Sequence, residues 1–371
     1  MKIIQILNSP NWSAASSYCI GVSSELKRLG HDVLLLTEPG KPLERAKELG
    51  IPFDDTIRLN HRNLFLYIQA MKRMKTIFQE FQPDIISAHM NEGAWMAGMI
   101  AKRYVPKAVV ARIRTDIAAP KSHFINRYVH HKWTDYIIVG SEQHKQICCK
   151  NLDYPADKIS VVYGCVDADK FKPASINLKV REEIGVAADD FLIGFLGRLS
   201  PIKGHEYALK AVSMLTDLPK QVKLLCIGYE SERTAQWLKE EAARLGMSDR
   251  LRWVGRRDDL PEILNSLDIG IISSLGSEAN SRATLEYMAS GLPVVGTSVG
   301  VIPEIIADNE TGFVVAPGNA EAMCDAIKKL VLDPELCKRM GEASRKRIEE
   351  HFTLQRFGSI MENVYKGLVK K

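Results

Sequence analysis

Apolar runs of strand length recur along the chain, and segments with apolar residues every three or four positions lie between most of them. Residues 3–7 (IIQIL), 31–37 (HDVLLLT), 83–89 (PDIISAH), 108–113 (AVVARI), 135–141 (DYIIVGS) and 158–164 (KISVVYG) read as buried strands. So do 190–198 (DFLIGFLGR), 222–228 (VKLLCIG), 251–255 (LRWVG), 269–274 (IGIISS), 293–297 (PVVGT) and 312–316 (GFVVA). Their apolar character is continuous rather than alternating, as expected of parallel strands covered on both faces. Helical periodicity over 14–29 stops at Gly30, and His31 and Asp32 lead into the next run. Helix, glycine, then strand is a usual link within a parallel sheet. The pattern predicts α/β architecture with parallel sheets.

Two sheets fit better than one. Residues 161–175 (VVYGCVDADKFKPAS) interrupt the alternation with Gly, Asp and Pro and read as a hinge between domains. The length of 371 residues also implies two or three domains, at roughly 150 residues each. Residues 353–369 are helical by periodicity, and no internal repeat or low-complexity tract is present. Composition adds exclusions. Hydrophobic residues make up 46% and charged residues 26%, which excludes disordered, collagenous and disulfide-stapled chains. No apolar run approaches the roughly 18 residues needed to cross a bilayer. The first residues, MKIIQILNSPNW, carry no secretory signal pattern. Seven cysteines without a C-x-x-C suit reduced thiols, so a cytoplasmic setting is expected.

The strongest chemical signal is 273–306, SSLGSEANSRATLEYMASGLPVVGTSVGVIPEII. A strand ends at Ser274, a loop carries Glu278, and a helix over about 281–290 carries Glu286 and stops at Gly291. The helix N-terminus offers free N–H groups and partial positive charge, which suit a phosphate. A carboxylate reaching the same place accepts hydrogen bonds from a vicinal diol such as that of a ribose. A bare pair of glutamates at this spacing is usually coincidental. The strand–loop–helix–Gly–x–Pro–strand setting changes that balance.

The second signal is 195–211, FLGRLSPIKGHEYALKA. Gly197 ends a strand, and Arg198 and Lys203 follow in the loop. The spacing is not that of a P-loop. Two cations at the carboxyl end of a parallel strand are well placed for a diphosphate, although two solvated surface charges would look the same. The pairs at 54–55, 189–190 and 258–259 read as solvated or capping aspartates, so no metal site is expected.

GRLSPIKG, the E-x7-E segment with EYMASGLPVVGT, and the hinge V-x-x-G-x-V-D-x-x-x-F together resemble the retaining nucleotide-sugar glycosyltransferases of family 4, which have the GT-B fold. The similarity extends over nearly the whole chain, including KRLGHDV (27–33) and PDIISAH (83–89). It implies two Rossmann-like domains facing a central cleft, with the C-terminal helix crossing back to the first domain. An acceptor-binding domain would then comprise 1–172 and 352–371, and a donor-binding domain 173–351. Carried over by motif, Arg198 and Lys203 match the diphosphate-contacting pair, and Glu286 the carboxylate on the ribose hydroxyls. Glu278 matches the carboxylate near the donor sugar, and His89 a histidine that meets that sugar. Gly197, Asn280, Ser281 and Arg282 complete the expected donor contacts. His89, Arg198, Lys203 and Glu278 are the residues expected to act in the transfer. No cofactor is implied beyond the nucleotide diphosphate sugar, which is substrate.

Two departures from the family pattern concern specificity. Its Gly-Gly in the first strand–helix loop is replaced here by Ser13 and Ala14, and its Phe-Gly-Leu in the E-x7-E loop by Asn280, Ser281 and Arg282. Only glycine takes positive φ without strain, so the first loop is less free to approach a ligand.

Charge bears on the acceptor. The chain carries 50 basic and 45 acidic residues; residues 1–172 are net +7 and 173–371 net −2. Arg112, Arg114 and Asp116 end one strand, and Lys121, His123, Arg127, His130, His131 and Lys132 follow among aromatic residues. Residues 64–81 form a basic amphipathic helix. These segments read either as a face for an anionic acceptor or membrane surface, or as core aromatics beneath solvated cations. The first reading favours a lipopolysaccharide or other surface-glycan acceptor, with Ser13, Ala14, Arg112, Arg114 and Asp116 on the acceptor side. It puts the enzyme at the inner face of the plasma membrane. A nucleotide-sugar 2-epimerase with the same two-domain fold is the rival enzyme. Nucleic-acid binding has no motif to support it at this mild net charge.

Overall fold

The computed structural model describes residues 1–58, 64–89, 91–115, 119–276 and 278–370. The chain folds as two compact units, Met1–Cys165 with Leu354–Lys371, and Val166–Thr353. The division falls inside the segment 161–175.

In the first unit the strands are β1 (Lys2–Leu7), β2 (Asp32–Thr37), β3 (Phe53–Asp54), β4 (Ile85–Ala88), β5 (Val109–Arg114), β6 (Tyr136–Val139) and β7 (Ile159–Val161). They form one sheet in the order β3-β2-β1-β4-β5-β6-β7, parallel throughout. Five of the six residues of β1 are buried, which explains its unbroken apolar run. Alternate side chains serve opposite faces. Ile4 and Ile6 pack with Met74 and Phe78 of the helix Leu64–Phe81, whereas Ile3 packs with Tyr18, Val22 and Leu26. Gln5 is the polar exception on that second face and is fully buried.

The C-terminal helix Leu354–Val369 belongs to this unit and lies on the helix Ala14–Arg28. Its buried residues Phe357, Met361 and Tyr365 recur every four positions and form one stripe. The Phe357 ring meets Tyr18 edge-on, with centroids 4.6 Å apart.

The second unit contains β8 (Phe191–Leu196), β9 (Val222–Ile227), β10 (Leu251–Trp253), β11 (Ile269–Ile272), β12 (Val294–Thr297) and β13 (Gly312–Val315). Their order is β10-β9-β8-β11-β12-β13, again all parallel. Both units are therefore Rossmann-like sheets, as the strand–helix alternation predicts. The two-residue edge strand β3 is an addition, too short to show a period in the sequence.

In each sheet the strand order reverses once, between β1 and β4 and between β8 and β11. Ligands of open α/β sheets bind outside the carboxyl ends of the strands at such a reversal. In the second unit the residues just past those two ends are Gly197 and Arg198, and Ser273 and Ser274. In the first they are the 8–13 loop and His89.

Candidate active site

In the second unit, β8 and β11 are neighbours, with Phe195 opposite Ile271. Their outgoing loops therefore run side by side, and several hydrogen bonds join them. Ser273 Oγ donates to the carbonyls of Lys203 at 3.1 Å and Gly204 at 2.8 Å. Gly204 has φ +68, and a Cβ there would lie 2.2 Å from the Ser273 carbonyl oxygen. Only glycine fits both the turn and the approach. This fixes the end of the short 3-10 turn Pro201–Lys203, so Lys203 is presented from a rigid base.

Lys203 Nζ donates to Glu278 Oε1. The same oxygen accepts from Ser274 Oγ at 2.5 Å, and Glu278 is 6% exposed. The Glu278 backbone is held as well. Its carbonyl accepts from Val301 N–H at 2.8 Å, and a Cβ on Gly300 would lie 2.0 Å from that carbonyl oxygen. Arg198 is half-buried; its Nε donates to Ser200 Oγ at 3.4 Å, and it forms no ion pair among the described residues.

The helix Arg282–Ala289 starts beside this pair. Ser281 at its N-cap has φ +38, and no side chain caps its first turn. The Ser281 hydroxyl instead meets Thr284 Oγ1 at 2.8 Å. Asn280 is buried, and its Oδ1 has no hydrogen-bond partner among the described residues. Backbone N–H groups and partial positive charge are thus left open at this end. Arg282 places a cation at the positive end of the helix, an unfavourable location. Glu286, one turn on, balances it by accepting from Arg282 Nη2 at 2.7 Å. Burial raises the Glu286 pKa, and the charges of Arg282 and Lys170 pull it back in part. The arrangement offers two cations, two enclosed carboxylates and an uncapped helix end, a combination that can hold a doubly charged phosphate chain next to hydroxyl groups.

In the first unit, His89 follows β4, and its N–H donates to the Ile6 carbonyl at 3.0 Å. Its ring is 2% exposed, and burial lowers its pKa to about 3. Ser13 is the N-cap of the helix Ala14–Arg28, accepting from Ser16 N–H at 3.2 Å. Ala14 is the first helical residue. Asp116 lies outside the described residues.

The basic and apolar residues of 111–133 follow neither expectation throughout. Arg112 and Arg114 are each 3% exposed. With burial as the larger cause, they help lower the pKa of the nearby His130 to about 3. Phe124 is 79% exposed and Ile125 63% exposed. Arg112 and Arg114 are thus enclosed while Lys121 and Lys132 stay exposed, and Phe124 and Ile125 are exposed while Val129 is buried. Phe65 on the helix Leu64–Phe81 is exposed too. No helix of the described residues is long and apolar enough to cross a membrane. No group of three or more His, Cys, Asp or Glu side chains there can hold a metal ion.

Sequence reading missed Ser273 and Ser274, the two serines that join the loops, and Lys170, whose charge acts on Glu286. It also missed Gln5 as the partner of His89. A glutamine inside an apolar strand was the one available sign of the last.

Two Rossmann-like units, each with polar loops at its strand-order reversal, are the components of the GT-B fold. Two family models match the chain, Glycosyltransferase Family 4 over residues 15–170 and Glycosyl transferases group 1 over 177–347. Together they cover most of its length, and the chain is a glycosyltransferase built from these two domains. It is 24% identical over 361 residues to the capsular polysaccharide biosynthesis glycosyltransferase CapM of Staphylococcus aureus, spanning 93% of this chain and 92% of that one. It is 23% identical to N-acetyl-alpha-D-glucosaminyl L-malate synthase of Bacillus anthracis, over 94% and 92%. Among solved structures, Anabaena HepE in complex with UDP superposes with a TM-score of 0.87 at 20% identity, over 99% of this chain and 100% of that one.

Proposed function

We propose that this glycosyltransferase is a retaining enzyme that moves a sugar from a nucleotide diphosphate sugar to a hydroxyl of an anionic surface-glycan acceptor, as in lipopolysaccharide. The observation that carries the reading is the Lys203–Glu278 pair at the strand-order reversal, beside Arg198 and an uncapped helix end. In the absence of donor the two charges neutralise each other. A bound diphosphate takes Lys203 from Glu278, and the freed carboxylate accepts from sugar hydroxyls while Ser274 holds it in place. Glu286 accepts from the ribose diol. The chemistry is positioning plus charge stabilisation. As the sugar–phosphate bond breaks, charge grows on the departing diphosphate, and Arg198, Lys203 and the helix N–H groups stabilise it. They supply the positive charge directly, so no divalent metal is part of this reading.

CapM supports a surface-glycan product by its description, and the +7 charge of residues 1–172 supports an anionic acceptor at a membrane surface. A panel of UDP-, GDP- and ADP-sugars in a thermal-shift assay tests the donor side. Stabilisation grows as RT ln(1 + [L]/Kd), so one nucleotide class is expected to raise Tm well above the others. A panel that leaves Tm unmoved at millimolar concentration counts against the reading.

A further inference from the structure

His89 is tied to the C-terminal helix by three further side chains. Its Nε2 lies 2.7 Å from Gln5 Oε1. Gln5 Nε2 donates to Tyr365 Oη at 3.5 Å, and Tyr365 Oη donates to Ser87 Oγ at 2.8 Å. All four residues belong to the first unit, and all are at most 2% exposed. The chain of donors has a direction. A tyrosine hydroxyl has one proton, and Tyr365 gives it to Ser87, so it meets Gln5 with a lone pair. Gln5 must turn its amide nitrogen toward Tyr365 and its oxygen toward His89. An oxygen facing Nε2 requires a proton on Nε2. The other ring nitrogen, Nδ1, is enclosed and has no hydrogen-bond partner among the described residues.

We propose that Gln5, backed by Tyr365 and Ser87, is a positioning residue that fixes His89 as the Nε2–H tautomer and leaves Nδ1 as a hydrogen-bond acceptor for a sugar hydroxyl. The orienting partner of a histidine decides which nitrogen faces the ligand. Burial keeps the ring uncharged, with its pKa lowered to about 3, so both nitrogens keep these roles throughout the neutral range. A buried acceptor left unpaired is costly, and a substrate hydroxyl relieves that cost. The C-terminal helix therefore does more than pack on the first unit, because Tyr365 is a link in the chain that sets the ring. The sugar role rests on the transferase reading above, whereas the tautomer does not.

The test uses the full chain labelled with 15N-histidine. Long-range proton–nitrogen correlation reads each ring, and a His89→Asn variant identifies the His89 signals. The wild type is expected to show a protonated, pyrrole-like Nε2 and a bare, pyridine-like Nδ1. Gln5→Leu is expected to average the two, and Gln5→Glu, which keeps an acceptor, to restore the split. Tyr365→Phe, which loses only a hydroxyl, is expected to blur it partly. With a donor in hand, Gln5→Leu should lower kcat roughly 10²-fold, the cost of a misplaced group, with donor KM little changed and Gln5→Glu recovering most of the loss. A proton on Nδ1 in the wild type, or a tautomer that ignores Gln5→Leu, overturns the proposal. A preserved kcat in Gln5→Leu overturns its sugar role. Because the spectra need no donor, failure to bind any nucleotide sugar overturns only the transferase reading.

Discussion

Lys203→Ala is expected to lower kcat by about 10²–10³-fold, the usual loss when one preorganised donor to a developing oxyanion is removed. Two features give this residue its weight. It comes from a turn fixed by Gly204 and Ser273, so its position needs no reorganisation as the reaction proceeds. Its resting partner is a carboxylate within the same site, so the ammonium is already held there. The fold should survive, because Lys203 is partly exposed and Glu278 keeps its bond from Ser274. Donor KM should change less than kcat, since the charge it meets is largest in the transition state. Steady-state kinetics with a melting curve check the prediction; a kcat within threefold of wild type, with the fold intact, would sink the assigned role.

Glu286→Gln should separate stability from function. The carboxylate is almost fully enclosed, and its pKa is raised by burial, with Arg282 and Lys170 offsetting part of the shift. A carboxyl that holds its proton more tightly folded than unfolded stabilises the fold as pH falls through the raised pKa, and costs stability as pH rises through it. The neutral amide escapes that cost. The variant is therefore expected to melt above wild type at neutral pH, and the gap should close as pH falls below the Glu286 pKa. Donor binding should suffer, because charge-assisted hydrogen bonds to the ribose are worth about 1.5–3 kcal/mol each, or roughly 10–100-fold in KM. Wild type should discriminate against a 2′-deoxyribose donor, and the variant should not. Equal discrimination by both proteins would remove Glu286 from the ribose contact. A gap that widens on acidification would contradict the burial argument.

Much of the fold was legible because parallel strands buried on both faces leave continuous apolar runs. IIQIL and DFLIGFLGR became β1 and β8 for that reason. The interruption at 161–175 marked where the two units divide. The segment proposed for the donor was legible as a strand–loop–helix–Gly course, which the structure repeats from β11 through the helix Arg282–Ala289 to Gly291. Pairings across the fold were not. Lys203 meets Glu278 across 75 positions, and Gln5 meets Tyr365 across 360; no local period encodes such partners. The burial of Arg112 and Arg114, beside the exposure of Phe124 and Ile125, was illegible for another reason. Which face of a strand or helix is covered depends on its neighbours, and average preferences point the other way.

The central claim is that Arg198, Lys203 and Glu286 in the second unit hold the nucleoside diphosphate of a donor. Isothermal titration of the full chain with the free diphosphate of the base chosen by thermal shift tests it most directly. The account predicts one site per chain and at least a 100-fold weaker Kd when Arg198→Ala and Lys203→Ala are combined, the loss of two charge-assisted contacts worth about 1.5–3 kcal/mol each. Equal affinity in the wild type and the double variant would contradict it.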